Sequence, residues 1–332
     1  MTSFTTIAFI GLAVCLVINA NPIIQQQQWE LYKNEFGKNY VNSLEDKFRK
    51  NIFLKQLHLV QTSNEKYDKG EISFELEVNS FSDRTKSELQ ALKGLKKMSN
   101  ALSVSIPWSA PVNATIPPSV DCRKLGLVTE VKDQSQCGSC FIFSAIGALE
   151  GQHMKATGKL VSLSEQNVLD CKGADQCDGG WPYEVYEFIN KENGVDTESS
   201  YPYQGSETKC RFKNTKIGAT CKSDYYASKP GDENVLKEAL ALAGPISIGI
   251  DANHASFFGY KSGIWSEPEC SSTNLDHAVL AVGYGTCQKT GKDYYIVKNS
   301  WGKSWGEKGY FKLERNAGNK CGVATIPTWP KV

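Results

Sequence analysis

Residues 134–141 read Gln-Ser-Gln-Cys-Gly-Ser-Cys-Phe, and they open a strongly apolar stretch that runs from Cys140 to Lys155. Because apolar side chains cover most of the circumference of this stretch, it predicts a buried helix that begins at Cys140. The free N–H groups and the positive dipole end of a helix lower the pKa of a cysteine placed there. A thiolate is a nucleophile, so Cys140 is a candidate for covalent catalysis.

Cys137 and Cys140 together form a Cys-x-x-Cys motif, which has other interpretations. Both could form structural disulfides, which is the commoner role of a single cysteine in a secreted chain. A thioredoxin-like redox pair would need a preceding βαβ pattern, and a zinc site would need a second ligand pair at suitable spacing. Neither is found in the sequence, so both interpretations are disfavoured.

The chain has four histidines, which limits the choice of a catalytic base. His58 lies in the N-terminal part, and His153 falls inside the predicted buried helix. His254 lies in a polar loop, where its role is open. His277 lies where a polar loop enters the apolar run 278–282, a place where a histidine is more often structural than catalytic.

A predicted hairpin brings a partner to His277. If residues 277–285 and 291–299 pair antiparallel across a five-residue loop, His277 faces Asn299. Cross-strand Cβ atoms lie about 4.5–5.5 Å apart, so the Asn299 side-chain oxygen could accept a hydrogen bond from the imidazole and fix its tautomer. Trp301, shortly after, would shield this bond from water.

Charge and composition exclude several classes of protein. The chain of 332 residues has 37 basic and 36 acidic side chains and is 40% hydrophobic, as in an ordinary globular protein. A net charge of +1 offers no field for a polyanion, so we expect no nucleic-acid partner.

The apolar run from Ile7 to Ile18 is too short to span a membrane. It predicts a signal peptide over residues 1–20, and passage through the secretory pathway permits disulfides.

The remaining sequence divides near residue 116. Residues 29–64 have a helical apolar pattern, residues 74–81 alternate as in a short strand, and a helix is predicted from Thr85 to Leu95. Residues 96–118 lose this periodicity and collect prolines, which is typical of a linker. Asn113 within it begins a glycosylation sequon, Asn-Ala-Thr.

Beyond the linker, helical patterns come first and extended runs follow. Ser162 and Glu165 have the spacing of a capping box at the start of a helix. Four β-prone runs, which begin at Ile246, Ala278, Tyr294 and Tyr310, are bounded by glycines. This order predicts an α+β arrangement, with two lobes that face each other across a cleft.

The segments around Cys140, His277 and Asn299 resemble the papain-like cysteine proteases, and most closely the cathepsin L branch, whose cysteine-to-histidine separation is similar. The resemblance covers residues 21–332. It implies a papain-like two-lobed fold, with a helical left lobe and a β-barrel-like right lobe, preceded by a mainly helical propeptide. It implies domains at 1–20 (signal peptide), 21–115 (inhibitory propeptide with linker) and 116–332 (mature peptidase), with no cofactor and no metal.

Two propeptide motifs of the family are recognisable. The propeptide is expected to lay its tail backwards along the cleft until it is cut near residues 113–116. The motif positions are Glu45, Arg49, Phe53, Gln56, Val60, Asn64, Asn79, Phe81 and Asp83.

Each catalytic role of the family falls on a matching residue. Cys140 would be the nucleophile, His277 its ion-pair partner and the proton donor to the leaving amine, and Asn299 would orient His277. Gln134 would donate its side-chain amide to the oxyanion. Phe141 and Cys122 depart from the pattern, because tryptophan is usual at both positions.

The family disulfides map onto Cys137 with Cys177, Cys171 with Cys210, and Cys270 with Cys321. Cys122, Cys221 and Cys287 have no assigned partner, and two of them could form a fourth bridge.

The resemblance also implies a substrate site and partners. Six uncharged residues match the positions that line the pocket for the side chain two residues before the cut, which predicts an apolar or aromatic preference there. They are Trp181, Pro182, Gly249, Leu275, Ala278 and Ile326. Expected partners are protein and peptide substrates, the chain's own propeptide and cystatin-type inhibitors, and the protein is expected to be a monomer in the lysosome or outside the cell. The substrate-binding positions are Gly179, Gly180, Trp181, Pro182, Gly249, Leu275, Asp276, Ala278, Trp301 and Ile326.

Overall fold

The computed structural model describes residues 21–96, 105–222, 225–227 and 229–332, so the predicted signal peptide lies outside the described residues. The helices within those ranges are α1 (Pro22–Glu35), α2 (Ser43–Asp68), α3 (Lys86–Gln90), α4 (Cys140–Thr157), α5 (Glu165–Cys171), α6 (Pro182–Lys191), α7 (Glu233–Leu242) and α8 (Ala255–Phe258). The strands are β1 (Phe74–Leu76), β2 (Ile106–Pro107), β3 (Val120–Asp121), β4 (Val195–Asp196), β5 (Ile217–Ala219), β6 (Tyr225–Ala227), β7 (Ile246–Ile250), β8 (Tyr260–Trp265), β9 (His277–Thr286), β10 (Asp293–Lys298), β11 (Tyr310–Glu314) and β12 (Thr328–Pro330).

The N-terminal part of the chain has a small core of its own between α1 and α2. Trp29, Tyr32 and Phe53 are buried there and contact one another. The helical pattern of residues 29–64 therefore corresponds to two helices. The chain leaves α1 at Gly37, whose φ of +61° is accessible to glycine at little cost.

Two N-terminal elements are shorter than the sequence predicts. The predicted strand over residues 74–81 pairs only as β1, which adds antiparallel to β8. After β1 the chain turns, and the Asn79 side chain donates to the carbonyl of Phe258. The helix predicted to reach Leu95 ends at Gln90, so residues 92–95 are free to take another path.

The helical lobe is built around α4, which is buried over residues 140–151 as its apolar composition predicts. The structure forms the disulfides Cys137–Cys177 and Cys171–Cys210 in this lobe. The predicted capping box at Ser162 is wrong. The N-cap of α5 is Ser164, whose hydroxyl accepts a hydrogen bond from Asn167 N–H.

The second lobe contains a ten-stranded sheet in the order β1-β8-β11-β10-β9-β7-β12-β6-β2, with β3 on β9. In the described residues no pairing joins β1 to β2, so the β-barrel-like lobe is an open sheet rather than a closed barrel. The Cys270–Cys321 disulfide also forms. These three bridges are the pairs that the resemblance implies.

The hairpin of β9 and β10 forms, but the predicted register is wrong. Lys298 faces Leu280 and Tyr294 faces Gly285, which displaces the ladder by two and three residues, respectively. The displacement of three arises because the turn, residues 287–292, begins one residue later and is one residue longer than predicted. The shift between Ile296 and Val297 then reduces it to two.

Candidate active site

Cys140 is the first residue of α4, and its side chain is free and fully buried. Two backbone N–H groups point at its sulfur, from Gly94 at 3.1 Å and from Ala278 at 3.4 Å. Cys137 is bonded to Cys177 instead of Cys140. The interpretation of the Cys-x-x-Cys motif as a redox pair is therefore wrong.

The environment of Cys140 keeps its thiol protonated in this form of the protein. Burial raises the pKa of Cys140 to about 11, although the N–H groups of Ala278, Gly94 and Phe141 act in the opposite direction. Part of the burial of Cys140 comes from Gly94, which belongs to the N-terminal part of the chain. This part of the burial is lost when that segment leaves. The N–H groups of Ala278 and Phe141 belong to the same domain as the sulfur and would remain to stabilise a thiolate.

His277 begins β9 in the other lobe, next to the residue that contacts the sulfur. Its Nε2 lies 2.8 Å from Asn299 Oδ1, and its Nδ1 is buried without a hydrogen-bond partner among the described residues. The Trp301 ring covers this pair, with its centre 4.9 Å from that of the imidazole. Burial lowers the pKa of His277 to about 3, so the imidazole is neutral here.

The contact between His277 and Asn299 does not come from the hairpin ladder that the sequence predicts. His277 faces Ile250 of β7 across the sheet. Asn299 lies just beyond β10, where its N–H donates to Gly309 and its side-chain oxygen also accepts from Ser300 N–H. The chain leaves the ladder at this point, which allows the Asn299 side chain to reach the imidazole.

Gln134 lies beside the start of α4 with its side-chain amide in a fixed orientation. Its Oε1 accepts a hydrogen bond of 2.6 Å from Ser300 Oγ. Its Nε2 donates to the carbonyl of Cys137 at 2.7 Å and to that of Leu92 at 3.0 Å. The amide therefore offers its N–H group to a carbonyl that lies in the cleft near the nucleophile.

Residues 92–95 run through the cleft between the lobes. The carbonyl of Gly94 accepts from Gly180 N–H at 2.9 Å, and Leu95 pairs with Gly180 as a parallel bridge. A Cβ atom at Gly94 would lie 1.6 Å from the carbonyl oxygen of Gly138. Only glycine fits so close to the backbone at this point, and the segment excludes other chains from the nucleophile.

Leu95 enters an apolar pocket beside this segment. It is 7% exposed and packs in one cluster with the predicted pocket residues Trp181, Ala278 and Ile326. Gly249 borders it, because a Cβ there would lie 2.7 Å from a Leu95 methyl carbon. Leu275 and Asp276 line the same groove, whereas Pro182 is the buried first residue of α6. The structure thus brings most of the predicted pocket together.

The resemblance implies that the propeptide tail runs along the cleft, but it does not identify residues 92–95 as the part that covers Cys140. Gly94 and Lys93 carry no motif, and the region was divided between a helix and a linker. The glycine after a short helical pattern is a stop signal that could have ended the helix earlier. No local pattern predicts that the chain then crosses the nucleophile.

One group of possible metal ligands occurs in the described part of the chain. It consists of Asp251, His254 and Cys270. The sulfur of Cys270 is bonded to Cys321, and His254 contacts Asp251 at 3.2 Å. Since a disulfide sulfur is not a thiolate ligand, this donor set does not fit a metal centre.

Two family models match the chain. The model described as Papain family cysteine protease matches residues 116–331, and the Cathepsin propeptide inhibitor domain (I29) matches residues 29–89. Within the described ranges, we find no helix with the length and apolarity needed to cross a membrane.

Full-length relatives agree with these matches. Digestive cysteine proteinase 1 of Homarus americanus is 46% identical and covers 94% of this chain and 95% of its own. Cathepsin L of Sarcophaga peregrina is 43% identical, with coverage of 92% and 93%. The solved structure of digestive procathepsin L2 proteinase from Tenebrio molitor larval midgut superimposes with a TM-score of 0.87 at 37% identity, and covers 93% of this chain and 100% of its own.

Proposed function

Because the chain belongs to the papain family of cysteine proteases, we propose that Cys140, His277, Asn299 and Gln134 are its catalytic residues. The protein is a cathepsin L-like cysteine protease zymogen with an I29 propeptide. The observation that supports the assignment most strongly is the free Cys140 sulfur at the helix start, 3.4 Å from the backbone nitrogen that follows His277.

The propeptide holds the two reacting groups in their neutral forms. With the cleft covered, burial raises the pKa of Cys140 and lowers that of His277, so neither carries a charge at neutral pH. Departure of residues 92–95 admits water to both groups and relieves this desolvation. The thiolate and imidazolium then form as a pair, stabilised by the helix start and by Asn299.

The reaction is peptide hydrolysis in two steps. The Cys140 thiolate attacks the substrate carbonyl, and His277 gives its proton to the leaving amine, which leaves a thioester on the sulfur. Water activated by His277 then hydrolyses the thioester. The Gln134 amide and the N–H of Cys140 stabilise the oxyanion in both steps. The bond between Gln134 and the Leu92 carbonyl occupies that donor in the zymogen.

The pocket that holds Leu95 binds the substrate side chain two residues before the cut. Its walls are Trp181, Gly249, Ala278 and Ile326, which carry no charge. An apolar or aromatic side chain gains from burial there, whereas the side chains of these four walls offer no hydrogen-bond acceptor to a buried guanidinium. Peptides with Phe-Arg or Leu-Arg before the cut should therefore be cleaved faster than Arg-Arg peptides.

The catalytic assignment is tested by labelling the acid-processed protein with a peptidyl epoxide and mapping the modified residue. We expect the label on Cys140 together with loss of peptidase activity. Cys140→Ser should lose activity by a factor on the order of 10³ or more. Cys221→Ser is the matched control, because Cys221 is also a buried free thiol but lies outside the cleft.

Two other results would point elsewhere. A label on Cys140 without turnover of any peptide would favour a catalytically silent homologue, for which the phenylalanine at 141 is the sequence feature. Turnover that persists in Cys140→Ser would refute the proposed nucleophile.

We also propose passage through the secretory pathway to the lysosome or the extracellular space. The predicted signal peptide and the three disulfides support this location. Asn113 is exposed and in a left-handed turn conformation, which leaves its side chain accessible for glycosylation. The domain boundaries near residues 20 and 115, a monomeric state and inhibition by cystatin-type proteins belong to the same proposal.

A further inference from the structure

Lys93 lies one residue before the glycine that covers Cys140. Its Nζ is 2.6 Å from Asp276 Oδ2 and 2.8 Å from Asn253 Oδ1, and its side chain is 1% exposed. Nζ also lies 5.8 Å from the centre of the Phe258 ring. An ammonium group buried this deeply needs oxygen partners to offset its lost hydration. The mature domain supplies both oxygens and an aromatic face.

Asp276 is held in place by contacts that do not involve the propeptide. Asp276 Oδ1 accepts from Ala252 N–H at 2.9 Å, and Asp276 N–H donates to the carbonyl of Ile250 at 3.0 Å. Oδ2 is thereby left for an incoming cation. In the described part of the chain, Lys93 is the cation that pairs with Asp276. Removal of the propeptide leaves this carboxylate in place without that partner.

The position of Lys93 relative to the nucleophile identifies the subsite. Gly94 lies over Cys140, and Leu95 on one side fills the pocket assigned to the residue two before the cut. Lys93 precedes Gly94 in the chain, and its ammonium lies 2.6 Å from Asp276, the residue next to His277. His277 protonates the amine of the residue after the cut, so the side chain of that residue lies in the region of Lys93.

We propose that Asp276 and Asn253 form a cation-binding subsite for the first residue after the cut, so that the active enzyme favours lysine or arginine there. The inference rests on the proposed function and adds a substrate class to it. The carboxylate supplies a charge-assisted hydrogen bond, Asn253 a second acceptor, and Phe258 a surface for the cationic end of the side chain.

The test uses enzyme processed from the full chain and internally quenched peptides that differ only in the residue after the cut. That residue is lysine, norleucine or glutamate, with leucine two residues before the cut in each peptide. Norleucine keeps most of the lysine stem and lacks the ammonium. We expect kcat/KM for lysine to exceed that for norleucine by about tenfold, as for one charge-assisted hydrogen bond, and glutamate to be slowest. Mass spectrometry of the products verifies the cut.

Variants separate the carboxylate from the general negative charge of the groove. Asp276→Asn should bring the ratio of lysine to norleucine close to one, whatever its effect on the absolute rate. Glu269→Gln removes an exposed carboxylate that lines the same groove and should leave the ratio unchanged. Asn253→Ala should lower the ratio only in part. If Asp276→Asn fails to fold, the ratio measured in Asn253→Ala tests the subsite instead.

The results that would refute the subsite differ from those that would refute the proposed function. Equal rates for lysine and norleucine, or a lysine preference that survives in Asp276→Asn, would overturn the subsite while cleavage itself remains. Failure of the proposed function would instead leave every peptide intact, whatever the label shows.

Discussion

Asp83 of the propeptide and Glu165 of the peptidase are both buried carboxylates, 3% and 2% exposed, but their surroundings differ. Asp83 accepts hydrogen bonds from Lys38 at 2.8 Å and from the hydroxyls of Tyr32 and Tyr40, both at 2.6 Å. Burial alone would raise the pKa of Asp83, yet these three donors together lower it. The propeptide is therefore stabilised by an ionised carboxylate.

Glu165 belongs to a group of charges between the two lobes. Lys132 contacts Glu165 at 2.7 Å and Glu150 at 3.5 Å, so two buried carboxylates share one ammonium. Burial raises the pKa of Glu165; Lys132 opposes this effect, and the neighbouring Glu150 adds to it. This group favours the protonated form of Glu165.

The two carboxylates respond to acid in opposite directions. The folded-state pKa of Asp83 is below its unfolded value, so its stabilisation is complete above about pH 4 and is lost as the pH falls further. The folded-state pKa of Glu165 is above its unfolded value, so the peptidase gains stability as the pH falls toward about 4. Acid thus weakens the inhibitor while it stabilises the peptidase domain.

The largest expected effect in this comparison is that of Asp83→Asn. It breaks a mostly buried ion pair and leaves the partly buried Lys38 without a counter-ion, so the free energy of unfolding of the propeptide should fall by about 3 kcal/mol. Hydrogen exchange of α1 and α2 measures this in a precursor that also carries Cys140→Ser, which prevents processing.

Asp68→Asn, at the exposed end of α2, is the control for Asp83→Asn and should change exchange by less than about 0.5 kcal/mol. Unchanged protection of α1 in Asp83→Asn would show that this carboxylate does not hold the propeptide together.

A smaller effect is expected from acid on the pair of Arg49 and Glu88. Arg49 contacts Glu88 at 2.5 Å and lowers its pKa to about 2. Its stabilisation should be lost between about pH 4.5 and pH 2, by about 1 kcal/mol, since a side chain that is 38% exposed is screened by solvent. The pH dependence of hydrogen exchange in α3 measures this loss, and Glu88→Gln should remove it.

Processing of the wild-type precursor tests, without any substitution, whether acid weakens the propeptide. It should be faster at pH 3.5 than at pH 7, because the lowered pKa values of Asp83, Glu88 and Asp46 place the loss of their stabilisation below about pH 4. Equal rates at pH 7 and pH 3.5 would contradict activation by acid through these groups.

The smallest expected effect is that of Glu165→Gln on the processed enzyme. Stability at pH 7 should not fall by more than about 1 kcal/mol, because glutamine resembles the protonated carboxyl that this group favours. The gain in stability on acidification should become smaller. Thermal midpoints at pH 7 and pH 5 measure both effects.

Glu130→Gln is the control for Glu165→Gln, since the Glu130 side chain is 84% exposed. An undiminished gain on acidification in Glu165→Gln would assign the pH response to other groups.

Much of the fold could be predicted from local patterns. The helix from Cys140 and the strands from Ile246 and Tyr310 lie where the sequence places them, because helical and alternating periodicities record which face of each element is buried. The ladder between β9 and β10 was predicted in the wrong register. A turn one residue longer and a bulge cannot be read from apolar side chains that are buried on both faces of β9.

The propeptide also contains one contact that the sequence predicts and one that it does not. Arg49 lies four residues after Glu45, the spacing of an ion pair within one helix, and the structure has that pair at 3.6 Å. Its closer partner is Glu88 of α3, at 2.5 Å. Spacing within one helix predicts the first contact, whereas the second depends on how two separate helices pack.

The sequence by itself determined which side chains can act: a cysteine at the start of a buried helix, a histidine at a strand end and an asparagine after the next strand. These are properties of residue type and local periodicity. Only the tertiary structure decided that residues 92–95 cover the nucleophile, that Lys93 binds Asp276, and that Asp83 and Glu165 respond oppositely to acid. Those outcomes depend on contacts between residues far apart in the chain, and on the burial that such contacts create.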